Sequence, residues 1–208
     1  MSGVLLLNGS PKKDGCTATA LKEMIKVFEE EGISTEVIQV GSAHVGGCIS
    51  CGSCEKNGKC VFNDLVNETA PKFEVADGLV IGSPVYYGSP NGSMLSFLDR
   101  LFYSTPFDKH MKVGASVVSC RRGGNSASFD ALNKYFTISA MPVASSTYWN
   151  QVHGFGAEDV LKDAEGLQTM RNLARNMAFM IKAIADAREK YGLPAQEHDI
   201  FTSFPDGK

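Results

Sequence analysis

No apolar run in the 208-residue chain approaches the roughly 18 residues that a bilayer-spanning helix needs. A transmembrane anchor is therefore not expected. The first residues, MSGVLLLNGS, carry no charged n-region, and their apolar run stops after Leu7, which argues against a secretory signal. The cytoplasm is the expected location. Basic residues are not in excess: 20 Lys and Arg face 23 Asp and Glu, a formal net charge of −3. With no cationic surplus to neutralise a phosphate backbone, a general nucleic-acid binder is excluded. Neither a Gly-Lys-Ser/Thr phosphate loop nor a G-x-G-x-x-G run is present, so the Walker and dinucleotide fingerprints are both missing. The four histidines, His44, His110, His153 and His198, are too scattered for a shared metal site. Only His44 lies close enough to a cysteine-rich stretch to be an extra ligand.

What the chain does have is six cysteines, and they are not spread as a disulfide framework would be. Cys48, Cys51, Cys54 and Cys60 fall within 13 residues, while Cys16 and Cys120 stand apart. In a chain of this size and expected location, that clustering points to metal or redox chemistry.

Short aliphatic runs alternate with amphipathic stretches, the pattern of an α/β fold with a parallel sheet. Strands are expected at Val4–Leu7, Ser34–Val40, Gly78–Ile81, Lys112–Ser119 and Pro142–Tyr148. Helices are expected at Thr17–Glu31, Leu65–Val75, Gly92–Phe102, Ser126–Ser139 and, as one long element, Ala157–Tyr191. Met170, Met177 and Met180 on the last helix read as core packing. The tail, Gly192–Lys208, reads as irregular. The whole chain, 1–208, reads as one domain: a doubly wound, flavodoxin-like sheet of five parallel strands in the order 2-1-3-4-5. Ligands then belong at the carboxyl ends of the strands, near the switch between strands one and three. Two dozen residues from Gly41 to Asp64, rich in Gly and Cys, form a loop on the same rim, and loops of that length are usually functional.

After strand one, NGSPKKDGCTAT leaves a buried strand and enters a helix, so its free N–H groups and the helix dipole make an anion site. Ser10 and Thr17 add hydroxyls and Lys12 a positive charge. Cys16, at the helix start, is placed for some thiolate character, although no partner for it is visible. The run GSPKKDGCT resembles the phosphate loop of the NAD(P)H-dependent FMN reductase family, G-S-P-R-x-x-x-N-T. Gly9, Ser10, Pro11 and Thr17 match. Lys12 stands where Arg is usual and loses its fork geometry, and Cys16 replaces an Asn amide with a weak donor.

The segment IGSPVYYGSPNGSMLSFLDR carries the family's second signature, S-P-x-Y-x-x-x-x-x-G. The resemblance implies that Pro84, Val85, Tyr86, Tyr87 and Gly88 line the flavin ring and ribityl chain, where Tyr86 and Tyr87 offer flat apolar faces with polar tips. After strand four, SCRRGGNS supplies Gly123 and Gly124 for close backbone approach to the flavin edge. Arg121 and Arg122 read either as contacts to a nicotinamide dinucleotide phosphate or as two solvated arginines on a turn. Cys120 reads as a small buried hydrophobe.

The run GCISCGSCEKNGKC has the spacing C-x2-C-x2-C-x5-C, close to that of compact iron–sulfur binding segments. Gly46, Gly47, Gly52 and Gly58 permit the tight turns of such a wrap. A cysteine-rich loop in this place resembles the iron–sulfur flavoproteins, which implies a [4Fe-4S] cluster on Cys48, Cys51, Cys54 and Cys60 exchanging electrons with FMN. Zinc, and free thiols or a redox disulfide, remain alternative occupants. The resemblance implies an FMN-dependent oxidoreductase fed by NAD(P)H, with no acid or base residue required, since the cofactor carries the chemistry. It also implies a small-molecule or protein electron acceptor, ferredoxin among the candidates, and a homodimer or homotetramer. The competing expectations are an electron carrier without its own substrate and a zinc-stabilised binding module that has lost flavin.

Overall fold

A computed structural model describes residues 2–198, 200 and 202. Whatever was expected of the tail from 203 onward lies outside the described residues. The strands β1 (Gly3–Asn8), β2 (Ser34–Gln39), β3 (Gly78–Tyr86), β5 (Val113–Cys120) and β6 (Gln151–His153) form a parallel sheet in the order β2-β1-β3-β5-β6. A two-residue strand, β4 (Ser89–Pro90), folds back on β3. Counting only the parallel strands, the order is the expected one, and the sheet is the flavodoxin-like α/β sheet.

Helices cover both faces. Along β1, Val4 and Leu6 point into the core shared with α1 (Cys16–Glu30) and α7 (Ala164–Tyr191). Leu5 and Leu7 point into the core shared with α3 (Leu65–Val75) and α4 (Gly92–Ser104). Strands buried on both faces tend to read as continuous apolar runs, as β1 does from Val4 to Leu7, while β5 is buried throughout but carries Ser116 and Ser119. β2 lies at one edge and is mostly polar, with Ile38 its one buried residue. Short helices α2 (Ser53–Asn57) and α6 (Ala157–Val160), together with α5 (Asn125–Ile138), complete the chain.

Three expectations need correction. The fifth strand is not Pro142–Tyr148. That segment makes one parallel bridge, Gly114 to Val143, and the ladder resumes only at Gln151 beside Val118. The chain between is drawn to α7 instead. Ser146 Oγ donates to the Thr169 carbonyl at 2.7 Å, and Asn176 Nδ2 donates to the Ser145 carbonyl at 2.8 Å. The single helix Ala157–Tyr191 is two helices. Asp163 accepts from Gly166 N at 2.9 Å as the N-cap of α7 and from His153 N at 2.7 Å, and a cap of this kind starts a helix. Third, the loop Ser83–Pro90 is a β-hairpin: β3 continues to Tyr86 and turns through Tyr87, which has φ 56°.

α1 is tied to α7 by charge. Glu23 accepts from Arg171 Nη1 at 2.5 Å and from Lys26 Nζ at 2.9 Å. Burial pushes its carboxyl pKa up, and the two cations outweigh this and hold it below the ordinary glutamate value. A depressed carboxylate contributes stability that is present above its unfolded pKa and is lost as pH falls through the folded one. Glu23→Gln should therefore lower stability at neutral pH, where that contribution is fully present, and flatten the acid limb below about pH 4, where the two proteins converge, as read by urea unfolding across that range.

Candidate functional site

The rim formed by the carboxyl ends of the strands is built from the β1–α1 turn outward. Asn8 Oδ1 accepts from Ser10 N at 3.0 Å, and Ser10 Oγ accepts from Lys12 N at 3.1 Å. Two neighbours pin the turn from outside. Gln39 Nε2, at the end of β2, donates to the Ser10 carbonyl, and Asn91 Nδ2 donates to the Gly9 carbonyl at 2.6 Å. Asn91 is also the N-cap of α4, accepting from Ser93 N. The turn therefore enters α1 with its backbone already fixed.

α3, α4 and α7 each begin on an Asp or Asn whose side chain accepts a first-turn N–H. α1 begins on Gly15 with no side-chain cap. Its orphan N–H groups open into a cleft of about 350 Å³. Ser10, Lys12, Cys16 and Thr17 line one wall, Pro84, Val85 and Tyr86 another, and Ser119, Cys120 and Arg121 a third. Eight of the twelve expected cofactor residues thus converge. Tyr87 stands fully exposed beyond the cleft wall, and Gly88, Gly123 and Gly124 lie outside the lining. Gly124 packs the α5 start against the hairpin: a Cβ there would meet Val85 Cγ1 at 2.8 Å, and its φ is +84°. The site therefore uses Gly124 for close packing of its walls.

The Thr17 and Ser119 hydroxyls pair at 2.8 Å, both buried. One of their two protons is spent on that bond, which leaves the other for a ligand. Cys16 differs from the expectation. Burial pushes its thiol pKa up, with Lys12 pulling weakly the other way, and Sγ donates to the Gly154 carbonyl at 3.6 Å. It is a thiol that packs the cleft floor. Cys120 is buried and its thiol is likewise pushed up by burial, as suits an apolar filler.

Sequence reasoning missed the fourth wall. Gly154, Phe155, Gly156 and Ala157, between β6 and α6, also line the cleft. Asp159 shapes this turn by accepting from Phe155 N at 3.0 Å and Gly156 N at 3.2 Å, contacts that hold its carboxyl pKa low. The Gly-Phe-Gly run was a readable turn signal. Placing the fifth strand too early hid that it follows a strand end.

The cysteine loop makes a separate cavity. Cys48, Cys51, Cys54 and Cys60 all line one space of about 250 Å³, walled by Ile49, Val61 and Phe62. α2 sits inside the loop between Gly52 (φ 66°) and Gly58 (φ 65°). Ser50 (φ 52°) takes the other left-handed position, so Gly46 and Gly47 are not the turning residues. All six cysteines are free thiols, and His44 is not part of the cavity wall. Among the described residues no three His, Cys, Asp or Glu side chains converge as one metal ion requires. The four cysteines share one cavity without converging on a single point.

Arg100 completes this cavity, and the motif reading did not include it. Its side chain is 1% exposed. Nη1 and Nη2 bind Asp64 in a fork at 2.8 and 2.9 Å, Nη1 also donates to the Gly46 carbonyl at 3.3 Å, and Nε and Nη2 donate to Cys60 Sγ at 3.3 and 3.2 Å. Burial lowers the guanidinium pKa, and the bonds and charges of Asp64 and Cys60 more than offset that, raising it above its usual value. The backbone of Cys60 is clamped as well, since Asn67 accepts from Cys60 N at 3.1 Å and donates to Cys60 O at 2.9 Å. The available signal was an arginine on the buried stripe of α4, three residues after Phe97.

Residues 3–154 match the NADPH-dependent FMN reductase family. An iron–sulfur flavoprotein of Methanocaldococcus jannaschii is 33% identical over 192 residues, covering 87% of this chain and 98% of the relative. Among solved structures, RosB with bound 8-demethyl-8-formylriboflavin-5'-phosphate superposes with a TM-score of 0.68 at 15% identity, covering 100% of this chain and 94% of the other. The NAD(P)H:quinone oxidoreductase of Methanothermobacter marburgensis gives 0.65 at 15% identity, covering 85% and 96%. At such low identity these two structures establish the fold alone. With a family match across residues 3–154 and a relative aligned almost end to end, the chain belongs to the NADPH-dependent FMN reductase family of flavoprotein oxidoreductases.

Proposed function

We propose that the protein binds FMN in the β1–α1 cleft, takes reducing equivalents from NAD(P)H, and passes them to an acceptor with the help of a [4Fe-4S] cluster on Cys48, Cys51, Cys54 and Cys60. One observation carries the flavin part: α1 starts on Gly15 without a capping side chain, as α5 does on Gly124, and of these two starts it is that of α1 which lines the cleft. An uncapped helix start beside a lysine fits a phosphate monoester. In this reading the first-turn N–H groups and Lys12 grip the phosphate, and the Thr17–Ser119 pair gives its spare proton to a phosphate or ribityl oxygen. Pro84, Val85 and Tyr86 flank the ring, Phe155 closes the opposite rim, and Arg121 meets the nicotinamide dinucleotide. Bound there, the flavin supplies hydride acceptance and one-electron release, and the protein contributes position and electrostatics.

The cysteine cavity supports the cluster part through its four sulfurs, its apolar walls and its buried cation. Cys48 and Cys51 are exposed, so a protein partner able to take single electrons, such as a ferredoxin, can approach the cavity. That favours, as a second reading, an electron carrier of iron–sulfur flavoprotein type. Both readings place the protein in the reducing cytoplasm and assemble it as a homodimer or homotetramer, which light scattering checks.

Anaerobic apoprotein titrated with FMN should take up one equivalent per chain, and NADPH or NADH should then bleach the flavin bands. Slow bleaching by both nucleotides and rapid exchange with reduced ferredoxin would favour the carrier. Lys12→Ala removes a charge-assisted contact and should weaken FMN binding about tenfold, or about 1.4 kcal/mol, by fluorescence quenching. Undiminished affinity in that variant would place the phosphate elsewhere.

A further inference from the structure

The guanidinium of Arg100 has five N–H donors, and all five are spent: two on Cys60 Sγ, two on Asp64, and one on the Gly46 carbonyl. The Phe62 ring lies 4.8 Å from Cζ and closes the remaining side. An arginine this buried is costly unless every donor and the charge itself are matched. The matching here is unequal. Asp64 neutralises the charge from the α3 side, while the same plane presents two N–H groups to one sulfur. Among the described residues, Cys60 is the one cysteine of the four whose sulfur receives side-chain N–H donors; Cys48 Sγ accepts one backbone N–H, from Ser50 at 3.4 Å. The four sulfurs of the cavity are therefore electrostatically unlike.

We propose that Arg100 is a positioning residue for the cluster held in the cysteine cavity, orienting the Cys60 sulfur and raising the reduction potential through its two N–H···S bonds and its partly neutralised charge, with Asp64 setting how much of that charge is felt. The step concerned is the gain of one electron with no proton. It adds one negative charge beside the guanidinium, which the cation stabilises, and hydrogen bonds to ligand sulfur act in the same direction. The inference rests on the cluster reading above.

Two substitutions separate this role from simple support of the cavity. Arg100→Lys keeps a positive charge but cannot reproduce the fork, so Cys60 loses at least one donor. Asp64→Asn removes the counter-charge while its retained oxygen still caps Val66 N, as Asp64 Oδ1 does at 3.2 Å. The full-length protein, prepared anaerobically with its cluster, is titrated with dithionite under EPR, and iron and sulfide are counted alongside. The midpoint potential should fall in Arg100→Lys and rise in Asp64→Asn, with the wild type between them. A merely structural role would loosen the cavity in both and move both the same way. Unmoved potentials, or shifts of one sign, overturn the proposal. If Arg100→Lys fails to retain iron, Asp64→Asn decides alone: a rise supports the proposal and no rise overturns it. A wild-type protein that takes up no iron overturns the cluster reading and this inference together, whereas a wild-type cluster whose potential ignores both substitutions overturns only this inference.

Discussion

Gly41→Ala should cost the protein its grip on FMN. A Cβ at Gly41 would lie 2.2 Å from the Ser10 carbonyl carbon, 2.3 Å from the Gly9 oxygen and 2.4 Å from the Ser10 oxygen. These are backbone atoms and cannot swing aside as a side-chain tip can. Gly41 is itself fixed, since its N–H donates to the Asn8 carbonyl at 3.0 Å. The clash must therefore displace the β1–α1 turn proposed to hold the phosphate, whose other side is braced by Asn91. Forcing one methyl into a closed contact costs about 1–3 kcal/mol. Because the displaced part is the ligand-binding turn, FMN affinity should fall about tenfold to a hundredfold. Gly46→Ala is the control, because a Cβ there meets nothing within 4 Å. Equal affinity in the two variants would show that the turn is not the phosphate site.

Arg100→Met should produce the largest loss of stability. Removing one partner of a buried pair costs about 3–5 kcal/mol when the other charge stays dry. Asp64 is 28% exposed and regains some hydration, so about 3 kcal/mol is expected. For a chain of this length that lowers Tm by about 6–12 °C. Adding Asp64→Asn to Arg100→Met should recover part of the loss, because the stranded carboxylate is gone. Strict additivity in that cycle would mean that the two side chains do not act as a pair. Anaerobic calorimetry of the flavin-loaded protein reads both numbers.

The sheet was legible because buried parallel strands are rich in aliphatic and small residues: Val4–Leu7 is apolar throughout, and β5 mixes Val and Ala with Gly and two buried serines. The convergence of eight candidate cofactor residues on one cleft was legible because they sit in turns with Pro, Gly and hydroxyl residues at motif spacing. Four features were not readable in this way, each for a tertiary reason. The edge strand was misplaced because residues 142–148 are β-like in composition but spend their polar groups on α7. The Gly154–Ala157 wall of the cleft was lost with it. Arg100 was lost because its meaning depends on Cys60 and Asp64, 40 and 36 residues away in sequence. The helix break at Asp163 carried a cap residue that is visible only once its acceptor role for Gly166 and His153 is known.

The cysteine loop is fastened at both feet. Gly41 is wedged on the β1 turn at one end, and Cys60 is clasped by Asn67 at the other. What lies between can be treated as a cassette. Lengthening, shortening or exchanging residues 47–59, beyond the Gly46 carbonyl that Arg100 holds, should leave the β1–α1 cleft undisturbed, so a metal or redox centre can be grafted there by changing the insert without redesigning its host.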